Sequence, residues 1–334
     1  MSDVRRRLFG WTALLGAVAL AAIVGAPLVG TTRINLARAF DSAVPFADNV
    51  DAQILFIARL PRVLAAALVG AALAAAGVVF QALLRNPLAT PFTLGVSAGA
   101  ALGAVLAISL KLQVSLWGVS AVTGASFAGS LGAVAIVYAL ARARHQGFST
   151  NVLLLAGVTL NSFFSALILF VQYIADPNET VQTLRWLMGD LGVAGYGPIL
   201  AALPPTIAAF VAFAWLPKTM NLLSLGADAA ESRGVDVARA QRVAFFAASL
   251  ATGAAVSLGG PIGFIGIIVP HLVRLLVGAD HRIVLPAAAL LGAAFLIGCD
   301  VVARLVMAPV ELPVGIITSM IGGPFFLWLL VRQR

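Results

Sequence analysis

The largest group of charged side chains between the apolar runs is Asp228-Ala229-Ala230-Glu231-Ser232-Arg233-Gly234, with Lys218, Arg239 and Arg242 on either side. The polar interruption that holds it, residues 216–242, is long enough for a short helix and a sharp turn at Gly234. A glycine there relieves the steric cost of positive φ. A short exposed helix held against a membrane is a docking element for a separate protein. Other residues invite catalytic readings. Gly95-Val96-Ser97-Ala98-Gly99 matches the G-x-S-x-G string of a nucleophile elbow, with His145, His271 and His281 the only histidines. That string needs a strand-to-helix turn, whereas this stretch opens an apolar run. Close helix packing through small residues explains it better. His271 and Arg274 lie one helical turn apart, but a lone histidine without a nearby carboxylate is weak evidence for a metal site. Neither a catalytic nor a metal site is expected. Lys111 and Lys218, the only lysines, lack the G-x-x-x-x-G-K context of a phosphate-binding loop. Uphill work would draw its energy from another polypeptide.

The elements that must position these residues are membrane helices. The chain of 334 residues is 61% hydrophobic and 10% charged, with mean hydropathy +1.03. Soluble domains carry roughly 25% charged residues, so that class is excluded. Spans of about 20 apolar residues are expected at ten places: 8–30, 60–84, 92–110, 114–141, 152–174, 194–216, 240–260, 262–279, 283–303 and 312–331. The runs lack period-2 alternation, which excludes an outer-membrane barrel. The expected fold is all-α, one polytopic membrane domain over residues 1–334 with about ten transmembrane helices and both termini cytoplasmic. In that topology 14 of the 21 basic residues face inward, against 5 of the 13 acidic ones, which obeys the positive-inside rule. The basic balance then reports topology and gives no reason to expect nucleic acid. Arg5-Arg6-Arg7 with the run after it reads as a first span, too long for a signal-peptide core. Cys299, the only cysteine, reads as a buried inert thiol.

Residues 31–58 read as an outer loop. Arg59-Leu60-Pro61-Arg62 then opens the second span, with Pro61 suited to a first helical turn. Two arginines at a helix start oppose the macrodipole. They either snorkel to lipid phosphates or form a basic socket for an acidic partner. Arg85-Asn86-Pro87-Leu88-Ala89-Thr90-Pro91 is a short inner loop stiffened by two prolines. Asp176-Pro177-Asn178-Glu179 reads as an N-cap, an N1 proline and a capping-box glutamate. It starts an outer surface helix over about 177–190 that carries Arg185 and Trp186. Gly259-Gly260-Pro261 through Gly266 reads as a broken helix start, and Gly322-Gly323-Pro324 as a further interruption. Asp300 and Arg304, four residues apart, can pair on one helix face. Asn161, Ser162, Ser165 and Gln172 offer polar lining groups in the fifth span, with helical rotation left open.

Three motifs carry a resemblance. Arg85-Asn86-Pro87-Leu88-Ala89 leads into Leu94-Gly95-Val96-Ser97-Ala98-Gly99-Ala100. Gly260-Pro261-Ile262-Gly263-Phe264-Ile265-Gly266 is followed by Val269-Pro270-His271-Leu272-Val273-Arg274. Glu311-Leu312-Pro313-Val314-Gly315-Ile316-Ile317-Thr318 opens the last span. Together they resemble the permeases of the iron-siderophore, haem and cobalamin ABC importers, over about residue 55 to the C-terminus. The resemblance implies a ten-helix subunit of a bacterial inner-membrane homodimer. Two cytoplasmic ATP-binding subunits, which hold ATP and Mg, and a periplasmic substrate-binding protein would complete the complex. This chain would have no cofactor of its own. Asp228-Ala229-Ala230 with Gly234 is similar to the coupling motif E-A-A-x-x-x-G, with Asp in place of Glu and the downstream Leu-Pro missing. It places Asp228, Ala229, Ala230, Glu231, Arg233 and Gly234, within a segment of about 217–239, at the ATPase. Arg59, Arg62 and Arg304 match outer arginines that receive the binding protein, and Arg185 is placed with them. Asn86, Leu88, Ser149, Thr150 and Asn151 match the cytoplasmic gate.

The reading these features support is the permease of an ATP-driven importer of an iron chelate, haem or a ferric siderophore. Cobalamin is the alternative cargo. An ion-coupled carrier would need a midplane carboxylate, for which Asp300 is the best candidate. An intramembrane serine protease would need Ser97 beside His271.

Overall fold

The computed structural model describes residues 2–112, 114–116, 118–143, 150–193 and 195–332. Fifteen α-helices follow one another: α1 (Ser2–Gly25), α2 (Leu36–Ala39), α3 (Val50–Gln53), α4 (Leu60–Leu84), α5 (Val96–Ser109), α6 (Ala121–Ala143), α7 (Thr150–Ile174), α8 (Pro177–Leu187), α9 (Gly197–Trp215), α10 (Pro217–Leu223), α11 (Ala227–Glu231), α12 (Val237–Gly259), α13 (Ile265–Val277), α14 (His281–Leu305) and α15 (Val314–Arg332). Among the described residues seven helical stretches are long and apolar enough to cross a membrane. Shorter apolar helices at Val96–Ser109, Ile265–Val277 and Val314–Leu329 stand at three other expected spans.

Two of these shorten for a visible reason. Before α5, Thr90 and Thr93 cap each other in a 3-10 turn over Pro91–Leu94, and Gly95 turns left-handed at φ 79°. Before α13 the chain runs unwound from Gly260 to Phe264, both at positive φ.

α4 is the central post, packed against α12, α13 and α14, while α5 lies between α6 and α7. Alanine, glycine and valine dominate its buried positions, which lets neighbouring backbones come close in lipid. At the α4–α14 crossing the carbonyl of Gly292 stands where a side chain on Gly70 would have to go, and the carbonyl of Gly70 blocks Gly292 in the same way. Any larger residue would force the two helices apart.

Three expectations need correction. The second span does not begin at residue 60. Asn49 caps a helix at Val50, accepting from the backbone N–H of Ala52 at 3.1 Å. A π-helical stretch over Ile54–Arg59 then carries it into α4, so the apolar helix runs Val50–Leu84. The fourth span begins at Ala121, because Ser115–Leu116 (β1) and Val119–Ser120 (β2) form a small antiparallel hairpin in an otherwise helical chain. Gly322-Gly323-Pro324 does not interrupt α15, which is continuous through Pro324. Gly322 instead leaves room for the ring of Phe264.

Candidate functional site

At the end of the bundle that carries the start of α1, α10 and α11 form a compact bracket. Gly226 and Gly234 both take positive φ. Gly234 thus makes the turn expected of it, though two short helices stand where one was anticipated. Leu223, Ala230 and Val237 form a separate apolar cluster beneath the bracket. Ala230 is fully buried there, so its small side chain seats the bracket. Asp228, Glu231, Ser232 and Arg233 remain exposed. Asp236 restarts the main helix by capping α12 at the N–H of Arg239, 2.9 Å away.

This bracket is clamped to the bundle by residues that the spacing did not single out. Asn221 Nδ2 donates to Asp280 Oδ1 at 2.7 Å, and Asn221 Oδ1 accepts from the backbone N–H of His281 at 2.9 Å. Asp280 caps α14 and takes Arg282 as a forked partner. The Arg282 hydrogen bond, helped by Asn221, holds the Asp280 carboxyl well below its ordinary pKa against the opposing cost of burial. Asp280 ahead of an apolar run was a readable N-cap signal; its link to Asn221 was not. Alongside, Arg7 donates to the carbonyl of Val277 at 2.9 Å. Arg274 donates to Gln81 at 2.5 Å, and Gln81 Nε2 reaches the Gly266 carbonyl at 3.0 Å.

The opposite end holds the arginines. Arg59, Arg62 and Arg304 are only 7%, 8% and 4% exposed, where a socket of free guanidinium groups was expected. Arg62 meets Asp300 at 2.8 Å and Glu311 at 2.5 Å; Arg304 meets Asp300 at 3.0 Å. Arg59 donates to the carbonyls of Pro27 and Thr32, and Arg304 to that of Val29. These carbonyls follow the C-terminal end of α1, where unsatisfied acceptors and the helix dipole favour cations. With the α4 helix extended back to Val50, the arginines no longer sit at a helix start, and the conflict with its dipole disappears. The three still line a cavity of about 370 Å³ with Glu311, Thr32 and Gly192. Arg185 is exposed on α8. The start of α8 differs in detail from expectation. Asp176 makes no side-chain cap; Asp176 and Glu179 both hold Lys111 at 3.1 Å.

Between α5, α7 and α8 lies a cavity of about 580 Å³. Asn161, Ser165 and Gln172 face it, with Ser97 opposite. Their spacing of four and seven residues is one helix stripe. Ser162 lies off that stripe and bonds back to the Val158 carbonyl at 3.2 Å. Asn161 is anchored on the Phe92 carbonyl at 2.7 Å, whereas Gln172 Nε2 is buried without a partner. Among the described residues no histidine lines the cavity with Ser97; His271 packs edge-on against Phe325 with ring centroids 5.8 Å apart. Of the gate residues, Asn86 folds its own loop by accepting from the N–H of Leu88 at 2.9 Å. Asn151 is exposed at the start of α7. Ser149 and the side chain of Thr150 lie outside the described residues. Among those residues no group of three or more metal-ligating side chains occurs.

The molecule is thus a helical domain with a short exposed bracket at one end and an open, polar-striped groove along α7. The pattern of the FecCD transport family matches residues 16–332, and the chain belongs to that family. It is 43% identical to the hemin transport system permease protein HmuU of Yersinia pestis, over 83% of this chain and 82% of that one. It is 44% identical to the cobalamin import system permease protein BtuC of Halobacterium salinarum, over 83% and 72% respectively. A solved chain of a metal-chelate type ABC transporter, in an inward-facing conformation, superposes with TM-score 0.82 at 35% identity, covering 98% of this chain and 99% of that one. The protein is therefore a multi-pass permease subunit of an ABC importer, and its family implies ATPase and substrate-binding partners. That outcome displaces the ion-coupled carrier and the protease. Asp300, the carrier's candidate carboxylate, is consumed by two arginines.

Proposed function

We propose that this chain is the permease of an ATP-driven importer for an iron chelate, haem or a ferric siderophore. It would act as a homodimer in a bacterial inner membrane, with ten spans and both termini cytoplasmic. The observation that carries the energy coupling is the clamped bracket: exposed charges on α11, joined by Asn221 to the cap of α14. ATP-driven closure of two ATPases would push α10–α11, and the Asn221–Asp280 contact would pass the movement to the bundle as a rigid-body change of access. ATP and Mg would be bound wholly by those subunits. The path would follow the Asn161–Ser165–Gln172 stripe, with Asn86, Leu88 and residues 149–151 as its inner gate. Exposed apolar side chains on α7 and α15, among them Phe170, Tyr173, Met320 and Leu327, suit contact with lipid or the second copy.

Docking of the binding protein would use Arg185 on the surface of α8 and the separate arginine cavity. A glutamate entering that cavity would compete with Glu311 for Arg62. Cobalamin is the second reading, favoured by the identity to the archaeal cobalamin permease. The test is uptake by the full complex in liposomes, offered haemin, a ferric siderophore and cyanocobalamin in turn. ATP-dependent accumulation of an iron chelate is expected. Accumulation of cyanocobalamin alone would transfer the assignment to the second reading.

A further inference from the structure

A groove of about 600 Å³ opens on the side of the bundle between α6, α9 and α12; the transport reading assigns no role to its apolar walls, and only Arg239 and Arg242 at its end border the segment given to the ATPase. Its walls are apolar: Ala208 and Ala212 from α9, Val243, Phe246 and Leu250 from α12, and Tyr138 from α6. Tyr138 and Phe246 pack with ring centroids 4.9 Å apart. At one end stand Arg239 and Arg242, both exposed. Arg242 Nε touches only the Ala238 carbonyl one turn back. Neither arginine forms an ion pair among the described residues. Residues 239, 242, 243, 246 and 250 fall on one stripe of α12.

We infer that this groove is a binding site for an anionic phospholipid of the inner leaflet. The charge arrangement matches such a ligand and few others. Two guanidinium groups on the first turns of α12 add to the positive end of the helix dipole, which favours an anion there. They lie at the same end as the α11 bracket, where headgroups of the inner leaflet are found. From Arg242 the apolar wall continues to Leu250, about 12 Å at the helical rise, enough to cover the upper half of an acyl chain. Basic pockets between membrane helices on the cytoplasmic side recognise anionic headgroups in this way. None of the lining residues belongs to α7 or α15, so a lipid there would leave the proposed dimer axis free. The site also abuts the start of α12, directly after the ATPase bracket, so its occupant would brace the element that the ATPase moves.

The test is native mass spectrometry of the purified full chain in detergent, titrated with phosphatidylglycerol and, separately, phosphatidylcholine. Retention of phosphatidylglycerol at least tenfold over phosphatidylcholine is expected. Arg239→Gln with Arg242→Gln should abolish that preference. Ala208→Trp, which fills the groove from an exposed position while keeping both charges, should lower retention of phosphatidylglycerol severalfold. Free glycerol phosphate should not compete. Equal retention of the two lipids, or an unchanged preference in the double variant, would overturn the proposal. So would competition by glycerol phosphate, which would mark a plain anion site. Loss of ATPase binding with lipid retention intact would assign the two arginines to the ATPase dock instead.

Discussion

The two ends of this bundle treat charge in opposite ways. At one end Arg59, Arg62 and Arg304 are drawn inward and satisfied by Asp300, Glu311 and the carbonyls beyond α1. At the other Asp228, Glu231 and Arg233 stay in solvent on a bracket with its own small apolar cluster. Burial makes charges structural, because an unpaired ion in a low-dielectric interior is costly. Exposure leaves them available to a partner. The arginine end is therefore built to hold three helices in register, and the bracket end, on the function proposed above, is the one that would be pushed.

The contrast can be broken most severely at Asp300. Asp300→Ala strands two buried guanidinium groups and should cost about 3–5 kcal/mol, read as a lowered thermal midpoint in detergent. Asp300→Asn keeps the shape and one of the two acceptors, replacing the other with an amide NH2 that faces a guanidinium N–H, and should cost less than the alanine. If the alanine variant melts like the parent, the outer network is not structural. Next comes Asn221→Ala, which removes one donor and one doubly used acceptor between α10 and α14. A loss of about 1–3 kcal/mol is expected, together with ATP hydrolysis that no longer drives uptake. Unimpaired coupling in that variant would detach Asn221 from the energy path.

Two smaller effects sharpen the comparison. Asp280 has its pKa depressed, chiefly by Arg282, so its contribution is complete above the ordinary carboxylate range and fades as the pH falls below it. The α14 cap should loosen in acid, and Asp280→Asn should remove that pH dependence from the melting curve. The smallest change is expected from Glu311→Gln. Its carboxylate is 49% exposed, so stability should move by no more than about 1 kcal/mol. Binding-protein affinity should rise, because Arg62 is then freer to accept an incoming carboxylate. A fall in affinity would show that Glu311 itself contacts the partner.

Local patterns were readable wherever the structure uses them locally. Gly234 makes its turn, Pro177 starts α8, and Asp300 pairs with Arg304 one turn along α14. The failed readings of the arginines and of Gly322 depend on contacts between distant segments. Arg62 reaches Asp300 across 238 residues of sequence, and no spacing rule points there. The π-helical stretch ahead of Leu60 joins two segments whose composition looked like a loop and a span. Gly322 resembled a helix break because its role is to admit the Phe264 ring, a steric fact that arises only after folding. The polar stripe of α7 lay between these cases. Asn161, Ser165 and Gln172 were visible as polar residues, but only packing against α5 and α8 set them apart from Ser162.

The central claim is that this chain does no work of its own and is driven through the exposed bracket by hydrolysis elsewhere. Its most direct test is haemin accumulation in liposomes holding the chain alone, the chain with its ATP-binding and substrate-binding subunits, and that complex with Glu231→Lys and Arg233→Glu. Accumulation against a gradient is expected only from the unaltered complex supplied with ATP. Concentrative uptake by the chain alone, without nucleotide, would contradict the account outright.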